Sequence, residues 1–238
     1  MKIQDSVALV TGANRGLGLA FTRALLAGGA RKVYAAARDP ASVKQAGAQT
    51  IRLDVTKPGE VDAAARELGD VNLLVNNAGI IRGSGFLGPQ GVDAVRAELE
   101  TNFFGPLILA RAFAPVLARN GGGAIVNVLS VLSWVSFPTS STYSASKAAA
   151  WSLSNGLRNE LSAQGTQVLS LHVGFMDTDM VRHVAAPKSQ PDDVVRQVLV
   201  ALEAGKAEIL ADEISRQVKK GLSADAGIYL SAPASPTP

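Results

Sequence analysis

A glycine-rich segment, TGANRGLG at residues 11–18, joins a short apolar run to a helical pattern. Residues 6–10 predict a strand, and apolar side chains at helical spacing over residues 16–27 predict a helix. Glycines let such a turn bend tightly and approach a phosphate, which the positive helix N-terminus attracts. The spacing is GxxxGxG rather than GxGxxG, so the segment predicts either a dinucleotide-binding turn or a plain strand-to-helix turn.

Strand and helix patterns alternate along the rest of the chain. Further strands are predicted at residues 32–36, 50–55, 71–75, 124–129, 167–173 and 209–210. Further helices are predicted at 60–67, 92–118, 143–163 and 191–204, and the helix at 92–118 is expected to bend near Pro106. This alternation predicts a parallel sheet covered on both faces. Residues 1–230 are expected to form one domain, followed by a flexible tail at 231–238.

The composition limits the function classes. Apolar residues make up 47% of the 238 residues, and a net charge of +3 without a basic run argues against a nucleic-acid partner. Because the chain has no cysteine and two histidines, we predict no metal site. It lacks a basic and apolar leader, and charges or prolines interrupt its apolar runs, so a cytoplasmic protein without a membrane anchor is expected.

Two arginines indicate which dinucleotide could bind. Ala37-Arg38 follows the second predicted strand, where an NAD site usually has an acid and a 2′-phosphate favours arginine. Arg15 and Arg38 can bind phosphate through charge-assisted contacts. NADPH is therefore favoured over NADH, while Asp39 leaves NADH possible. Asp54, at the end of the third predicted strand, is either an acceptor for the adenine amino group or a turn cap.

Tyr143 and Lys147 lie four residues apart at the start of a predicted helix, so their side chains share one helix face. An ammonium near a phenol favours the phenolate and lowers the phenol pKa from about 10. This pair could act in proton transfer, but the spacing alone is common by chance. The surrounding motifs decide between the two interpretations.

Six motifs occur in a fixed order: TGANRGLG at 11–18, LDVT at 53–56, NNAG at 76–79, TN at 101–102, Ser130, and YSASK at 143–147. With them, nearly the whole chain resembles the short-chain dehydrogenases/reductases. The resemblance implies a Rossmann-type, doubly wound α/β fold with about seven parallel strands in the order 3-2-1-4-5-6-7 and three α/β/α layers. It also implies an NADP(H)-preferring carbonyl reductase that converts a ketone or aldehyde to an alcohol reversibly.

The resemblance further implies catalytic roles for Asn102, Ser130, Tyr143 and Lys147. Tyr143 is expected to be the general acid, or the base in oxidation. Lys147 is expected to hold the nicotinamide ribose and to lower the Tyr143 pKa. Ser130 is expected to orient the substrate oxygen, and Asn102 to sit at a helix irregularity that holds a relay water. The expected cofactor-binding residues are Gly12, Asn14, Arg15, Gly16, Leu17, Gly18, Arg38, Asp54, Val55, Asn76, Ala78, Gly79, Tyr143, Lys147, Gly174, Met176 and Thr178.

The substrate side is less constrained by the sequence. The expected substrate contacts are Ser130, Leu132, Trp134, Phe137, Tyr143 and Phe175. Trp134, Phe137 and Phe175, together with Met176, could equally be ordinary core residues. Residues 180–190 correspond to the substrate lid of the family, and this short lid suggests an open pocket that accepts bulky or varied ketones.

The chain departs from the family pattern at two places. Val173 stands before Gly174 where the family commonly has proline, which questions the rigidity of that loop. The usual C-terminal motif, which commonly builds part of a tetramer interface, is also missing. A homodimer is therefore expected, and a dimer or monomer is more plausible here than in the average member of the family.

Other readings remain open. One is an NAD-dependent alcohol dehydrogenase that works in the oxidative direction, and another is a non-catalytic dinucleotide-binding sensor. His172, inside a predicted strand, is interpreted as a structural histidine, and His183 is placed in a loop. Asp177 and Asp179 are interpreted as turn or cap residues.

Overall fold

The computed structural model describes residues 1–182 and 184–230; His183 and the predicted tail lie outside the described residues. Seven parallel strands form one sheet in the order β3-β2-β1-β4-β5-β6-β7, which confirms the predicted fold class and strand order. The strands are β1 (Val7–Thr11), β2 (Lys32–Ala37), β3 (Gln49–Arg52), β4 (Leu73–Asn76), β5 (Ala124–Val128), β6 (Gln167–His172) and β7 (Glu208–Leu210).

The helices cover both faces of this sheet. They are α1 (Gly16–Ala27), α2 (Pro58–Glu67), α3 (Gly91–Leu99), α4 (Gly105–Arg119), α5 (Ser141–Glu160), α6 (Pro191–Glu203) and α7 (Glu213–Gly221). Strand β1 shows why its apolar run is continuous. Ala8 and Val10 pack in the core shared with α1 and α6, whereas Val7 and Leu9 pack in the core shared with α2, α4 and α5. Because both faces are buried, the three-layer arrangement needs apolar residues at every position of this strand.

The structure differs from the predicted elements at three places. Strand β3 ends at Arg52 rather than at residue 55, because Asp54 begins a turn that is closed by Thr56. The irregularity in the long helical region is a π-helical segment, Glu100–Phe104, and Pro106 lies just after it in the first turn of α4. Helix α7 was not predicted.

Within the described ranges, one stretch, Gly91–Arg119, is long and apolar enough to cross a membrane by length and composition alone.

Strands β1 and β4 are neighbours at the centre of the sheet, although they are not consecutive in the chain. The connections that follow them therefore leave to opposite sides, and a crevice opens at the carboxyl ends of the strands. Several polar motifs follow these strand ends, including residues 11–18, 76–79 and Ser130. The fold thus brings segments together that lie far apart in the chain.

Candidate active site

A cleft of about 930 Å³ lies at the carboxyl edge of the sheet. It brings together most of the predicted site residues. Those that line it are Gly12, Asn14, Arg15, Gly16, Leu17, Arg38, Asp54, Val55, Ala78, Gly79, Ser130, Leu132, Phe137, Tyr143, Lys147, Gly174, Phe175, Met176 and Thr178. Four predicted residues do not line the cleft: Gly18, Asn76, Asn102 and Trp134. They can affect the cleft only through the residues that line it.

The glycine-rich turn is shaped by positions that exclude a side chain. Gly12 and Gly16 have φ angles of +64° and +52°, in the left-handed region that favours glycine. A Cβ atom at Gly18 would lie 2.1 Å from the carbonyl oxygen of Gly12, so helix α1 packs directly against the turn. Asn77 donates to the carbonyls of Thr11 and Gly12 and holds the turn from β4. A close-fitting backbone cradle at a helix N-terminus matches what a dinucleotide pyrophosphate needs.

The charged groups at this end of the cleft are exposed. Arg38 follows β2 and is exposed in the cleft, as its position in the sequence predicts. Arg15 forms an ion pair with Asp179 across the cleft, at 3.3 Å between Nη1 and Oδ2. Asp39 also lines the cleft, but its Oδ1 accepts the backbone N–H of Ala41 and caps a short 3-10 turn. Among the described residues at this end of the cleft, Arg38 is therefore the cationic side chain that is least engaged in contacts with other residues.

Asp54 has the turn-capping geometry that the sequence left as one of two interpretations. Its Oδ1 accepts both the backbone N–H and the hydroxyl of Thr56, at 3.0 and 2.8 Å. Partial burial raises the pKa of Asp54, but these hydrogen bonds and the charge of Arg38 outweigh it and hold the pKa below its ordinary value. The carboxylate lines the cleft as well, so the capping contact leaves an adenine contact possible.

Tyr143 and Lys147 face the cleft from the first turns of α5, as their spacing predicts. Lys147 is buried, and its Nζ donates to the backbone carbonyl of Val128 at 2.8 Å and lies 5.6 Å from the Tyr143 ring centroid. Burial lowers the pKa of Lys147 to about 8. Burial, and then the charge of Glu98, raise the pKa of Tyr143. This direction is opposite to the predicted lowering of the Tyr143 pKa by Lys147, because desolvation of the half-buried phenol dominates.

Ser130 lies two residues after the end of β5, and its hydroxyl oxygen accepts the backbone N–H of Leu132 at 3.1 Å. The Ser133 hydroxyl returns a contact to the Ser130 backbone N–H at 3.3 Å. This reciprocal cap fixes the hydroxyl oxygen and leaves its proton available to the cleft. Ser130 and Tyr143 thus offer two hydroxyl donors in one cleft, an arrangement that can stabilise negative charge on an oxygen atom.

Asn102 is buried inside the π-helical segment, so the predicted helix irregularity is present at this residue. Its amide makes two contacts with the Ile80 backbone, each at 2.9 Å, and a third with the hydroxyl of Ser146 at 2.9 Å. Ser146 in turn donates to the carbonyl of Tyr143. The side chain therefore ties α5 to the loop after β4, and a relay water at Asn102 stays a prediction.

Two predicted site residues have other positions than expected. Asn76 is buried in the sheet, where its Nδ2 donates to Asn127 Oδ1 at 2.8 Å, so it supports the strands rather than lining the cleft. Trp134 does not form part of the substrate wall. Its indole stacks on His172 with 3.9 Å between ring centroids and 17° between the planes. Trp134 and His172 are 38 residues apart in the sequence, and their contact places Trp134 outside the cleft.

The remaining predicted substrate contacts, Leu132, Phe137 and Phe175, do line the cleft, together with Met176. Sequence reasoning missed Ile214, which adds an apolar side chain from α7. It also missed the contact that holds the loop after β6, where Asp212 Oδ2 accepts the backbone N–H of Gly174 at 2.6 Å. This hydrogen bond supplies rigidity at the place where the sequence has Val173 rather than proline.

Three further polar residues were not predicted from the sequence. Asn77 holds the glycine-rich turn, Ser146 connects Asn102 with Tyr143, and Glu98 is a fully buried acid whose Oε1 accepts the Arg82 backbone N–H. The asparagine lies within the NNAG motif, and its place directly after a strand was a usable signal. The other two contacts depend on α3, the π-helical segment and α5 packing together, which no local pattern indicates.

Comparison with known proteins agrees with this geometry. A family model described as short chain dehydrogenase matches residues 6–189. A solved short chain dehydrogenase from Burkholderia cenocepacia, in complex with NADP, is 42% identical, with a TM-score of 0.91 and coverage of 94% of this chain and 95% of that chain.

Two curated relatives are more distant in sequence. An uncharacterized oxidoreductase of Staphylococcus saprophyticus is 31% identical, and the match covers 85% of this chain and 93% of the relative. The 3-oxoacyl-[acyl-carrier-protein] reductase of Salmonella typhimurium is 29% identical, with coverage of 97% and 100%. Because the family model matches most of the chain, the protein belongs to the short-chain dehydrogenases and is an oxidoreductase of that family.

Proposed function

We propose that the protein is an NADPH-dependent carbonyl reductase, which reduces a ketone or aldehyde to an alcohol and can work in reverse. The observation that carries this proposal is that one cleft contains Ser130, Tyr143 and Lys147 at one end and the glycine-rich turn with Arg38 at the other. This arrangement can hold a dinucleotide beside two hydroxyl donors, as hydride transfer to a carbonyl requires.

The nucleotide end fits the cofactor by its backbone shape. The turn at residues 11–18 and the N-terminus of α1 would hold the pyrophosphate, and Arg38 the 2′-phosphate. Asp54 would contact the adenine, Lys147 the nicotinamide ribose, and the loop from Gly174 to Thr178 would border the nicotinamide. A Cβ on Gly16 would lie 3.2 Å from Thr178 Cγ2, so this loop reaches the glycine-rich turn. When bound, NADPH supplies the hydride.

The protein groups at the other end supply hydrogen bonds and a proton. As negative charge develops on the substrate oxygen, Ser130 and Tyr143 would donate to it, and Tyr143 would transfer its proton. The raised pKa keeps the Tyr143 phenol protonated near neutral pH, which suits an acid in the reductive direction. Lys147, with its pKa lowered to about 8, could return a proton near neutral pH through the region of Asn102.

The preference for NADPH rests on Arg38, and it is supported by the NADP bound in the similar Burkholderia cenocepacia structure. An NAD-dependent alcohol dehydrogenase is the second candidate, because Asp39 also lines the cleft. Comparing wild-type rates with NADPH and NADH separates them. A marked preference for NADPH is expected, and equal use of both cofactors would refute that preference.

The substrate class we propose is an apolar ketone or aldehyde, including bulky ones. Leu132, Phe137, Phe175 and Ile214 present apolar side chains to the cleft, and Met180 from the short lid segment joins them. Apolar walls with a few convergent polar groups are typical of small-molecule sites. Good turnover of small ketones beside poor turnover of every bulky aryl ketone would contradict the open-pocket part of the proposal.

The experiment that tests the function is a panel of ketones and aldehydes assayed with NADPH, with chiral analysis of the alcohol products. We expect saturable, stereoselective reduction of at least one apolar carbonyl. Tight NADPH binding without reduction of any panel member would favour the dinucleotide-binding sensor instead.

We further propose that the enzyme acts as a cytoplasmic homodimer, without nucleic-acid or membrane partners. Light scattering of the purified protein tests the dimer, and a monomer or tetramer mass would contradict it.

A further inference from the structure

We propose that His172 is a positioning residue for Ser130: its imidazole Nδ1–H holds the Ser130 carbonyl and thereby sets the direction of the serine hydroxyl. This inference rests on the proposed carbonyl reduction, in which Ser130 orients the substrate oxygen. His172 ends β6 and is fully buried, and its Nδ1 lies 3.1 Å from the Ser130 carbonyl oxygen. Since a carbonyl can only accept, Nδ1 must carry the proton in this contact.

The imidazole is held in place by aromatic packing on its face. The Trp134 indole stacks on the face at 3.9 Å between centroids, and Trp151 meets Trp134 edge-on at 6.2 Å. Glu208 Oε1 lies 3.5 Å from His172 Nε2. Lys219 from α7 contacts Glu208 at 3.0 Å and lies 4.8 Å above the Trp134 ring. These contacts prevent rotation of the ring, so the Nδ1–H direction is fixed.

The Ser130 carbonyl accepts two donors, the backbone N–H of Ser133 at 3.0 Å and the imidazole of His172 at 3.1 Å. The flanking N–H groups of Leu129 and Val131 donate to Leu171 and Val173, which continues the pairing of β5 with β6. The Ser130 carbonyl lies between these two contacts, where the Ser133 N–H closes the local turn and the imidazole N–H is the donor that comes from β6. The serine is thus held at three points: its backbone N–H, its hydroxyl oxygen and its carbonyl.

The imidazole is neutral under working conditions. Burial lowers the pKa of His172 to about 4, and the charges that face it are Glu208, Lys219 and Lys147. With the proton on Nδ1, Nε2 presents a lone pair and has no hydrogen-bond partner within the described chain. A merely space-filling histidine would gain by placing its proton on the Glu208 side. The shorter contact, 3.1 Å from Nδ1 to the Ser130 carbonyl oxygen against 3.5 Å from Nε2 to Glu208, favours the proton on Nδ1.

The first test is direct and needs no turnover: ¹⁵N NMR of histidine-labelled, cofactor-free protein, with His172→Phe used to assign the signals. We expect the Nδ1-protonated neutral tautomer for His172 near neutral pH. An Nε2-protonated tautomer would overturn the proposal, because Nδ1 could not then donate to Ser130. This readout decides the hydrogen bond even if the wild type reduces no carbonyl, in which case the proposed function itself fails.

The second test compares two variants. His172→Phe keeps an aromatic ring for Trp134 but removes the donor, whereas His172→Asn places an amide N–H near the Nδ1 position. We expect His172→Phe to lower kcat by about tenfold to a hundredfold with the NADPH Kd unchanged, and His172→Asn to recover most of that loss. Wild-type kcat in His172→Phe, or equal loss in both variants, would overturn the proposal.

A double-mutant cycle separates positioning from general damage to the fold. If His172 acts through Ser130, adding His172→Phe to Ser130→Ala should reduce the residual rate no further. A full additive loss in the double variant would show that the histidine acts elsewhere and would overturn the assignment.

Discussion

The nucleotide end and the reaction end of the cleft are built in different ways. At the nucleotide end, backbone atoms within eight residues, from Thr11 to Gly18, make the cradle, and glycines are required where Cβ atoms would collide. At the reaction end, the site residues depend on contacts with distant segments. His172 of β6 contacts Ser130, Asn102 of the π-helical segment reaches Tyr143 through Ser146, and Lys147 donates to the backbone of β5. The first end depends on local shape, and the second depends on long-range contacts and buried charge.

The largest expected effect on stability is at the nucleotide end. In Gly18→Ala the new Cβ would lie 2.1 Å from the Gly12 carbonyl, and backbone must move to accept it. We expect the free energy of unfolding to fall by about 3 kcal/mol and NADPH binding to weaken, measured by urea unfolding and titration. Gly59→Ala is the matched control, because a Cβ there meets nothing within 4 Å. Equal stability of the two variants would contradict a cradle formed by close backbone packing.

The reaction end should instead show a cost of buried charge. The pKa of Lys147 in the folded protein, about 8, lies below its ordinary 10.5, so the unfolded chain binds more protons between these values. Folding stability from this group therefore rises with pH in that window. We compare the free energy of unfolding of Lys147→Met with that of the wild type. We expect this difference to favour the variant by about 2 kcal/mol more at pH 7 than at pH 10, in urea unfolding without cofactor.

The exposed Lys206→Met is the control for the Lys147 measurement, and its stability difference should not change over this pH range. If the stability difference between Lys147→Met and the wild type were likewise independent of pH, the Lys147 ammonium would be well solvated. The two ends of the cleft would then not differ in buried charge.

Arg38 tests whether the nucleotide end selects NADPH by charge. Loss of a charge-assisted contact costs about 1.5 to 3 kcal/mol, so Arg38→Ala should raise the NADPH Kd by about tenfold or more and change the NADH Kd little. The exposed Arg66→Ala, outside the cleft, is the control. Isothermal titration with both cofactors measures this, and parallel weakening of NADPH and NADH would remove Arg38 as the selective group.

The smallest expected effect concerns the loop after β6. Asp212 accepts the backbone N–H groups of both Gly174 and Ser215, at 2.6 and 2.8 Å, and Asn can replace only one carboxylate oxygen as an acceptor. Asp212→Asn should lower the free energy of unfolding by about 1 kcal/mol and reduce kcat/KM several-fold. The exposed Asp62→Asn on α2 serves as control. Unchanged kcat/KM would show that this loop does not need the contact.

The same contrast explains what the sequence could predict. The parallel sheet and the nucleotide turn follow from apolar runs and glycine spacing, which are local signals, whereas the strand order followed from the resemblance to the family. Helix α7 escaped prediction because Ile214 and Val218 are the only apolar residues in its charged sequence, so its stripe is too short to recognise. The helix begins at an Asp212 cap, and its contacts with the loop after β6 and with Trp134 stabilise it.

The side chains behind the reaction end were also beyond local reasoning. The motif order identified Tyr143 and Lys147, but the raised pKa of Tyr143 depends on burial that only the packed structure reveals. Trp134 was expected near substrate because it lies close to Ser130 in sequence, yet stacking on His172 places it behind the serine. Contacts between distant segments have no signature in a single stretch of sequence.

The central claim, that the nucleotide end binds and the reaction end delivers a proton, is tested most directly by single-turnover reduction with Tyr143→Phe at saturating NADPH. We predict an NADPH Kd within about twofold of wild type and a rate that is lower by about a thousandfold, since the phenol proton is lost. A near-normal rate with normal NADPH binding would contradict the claim.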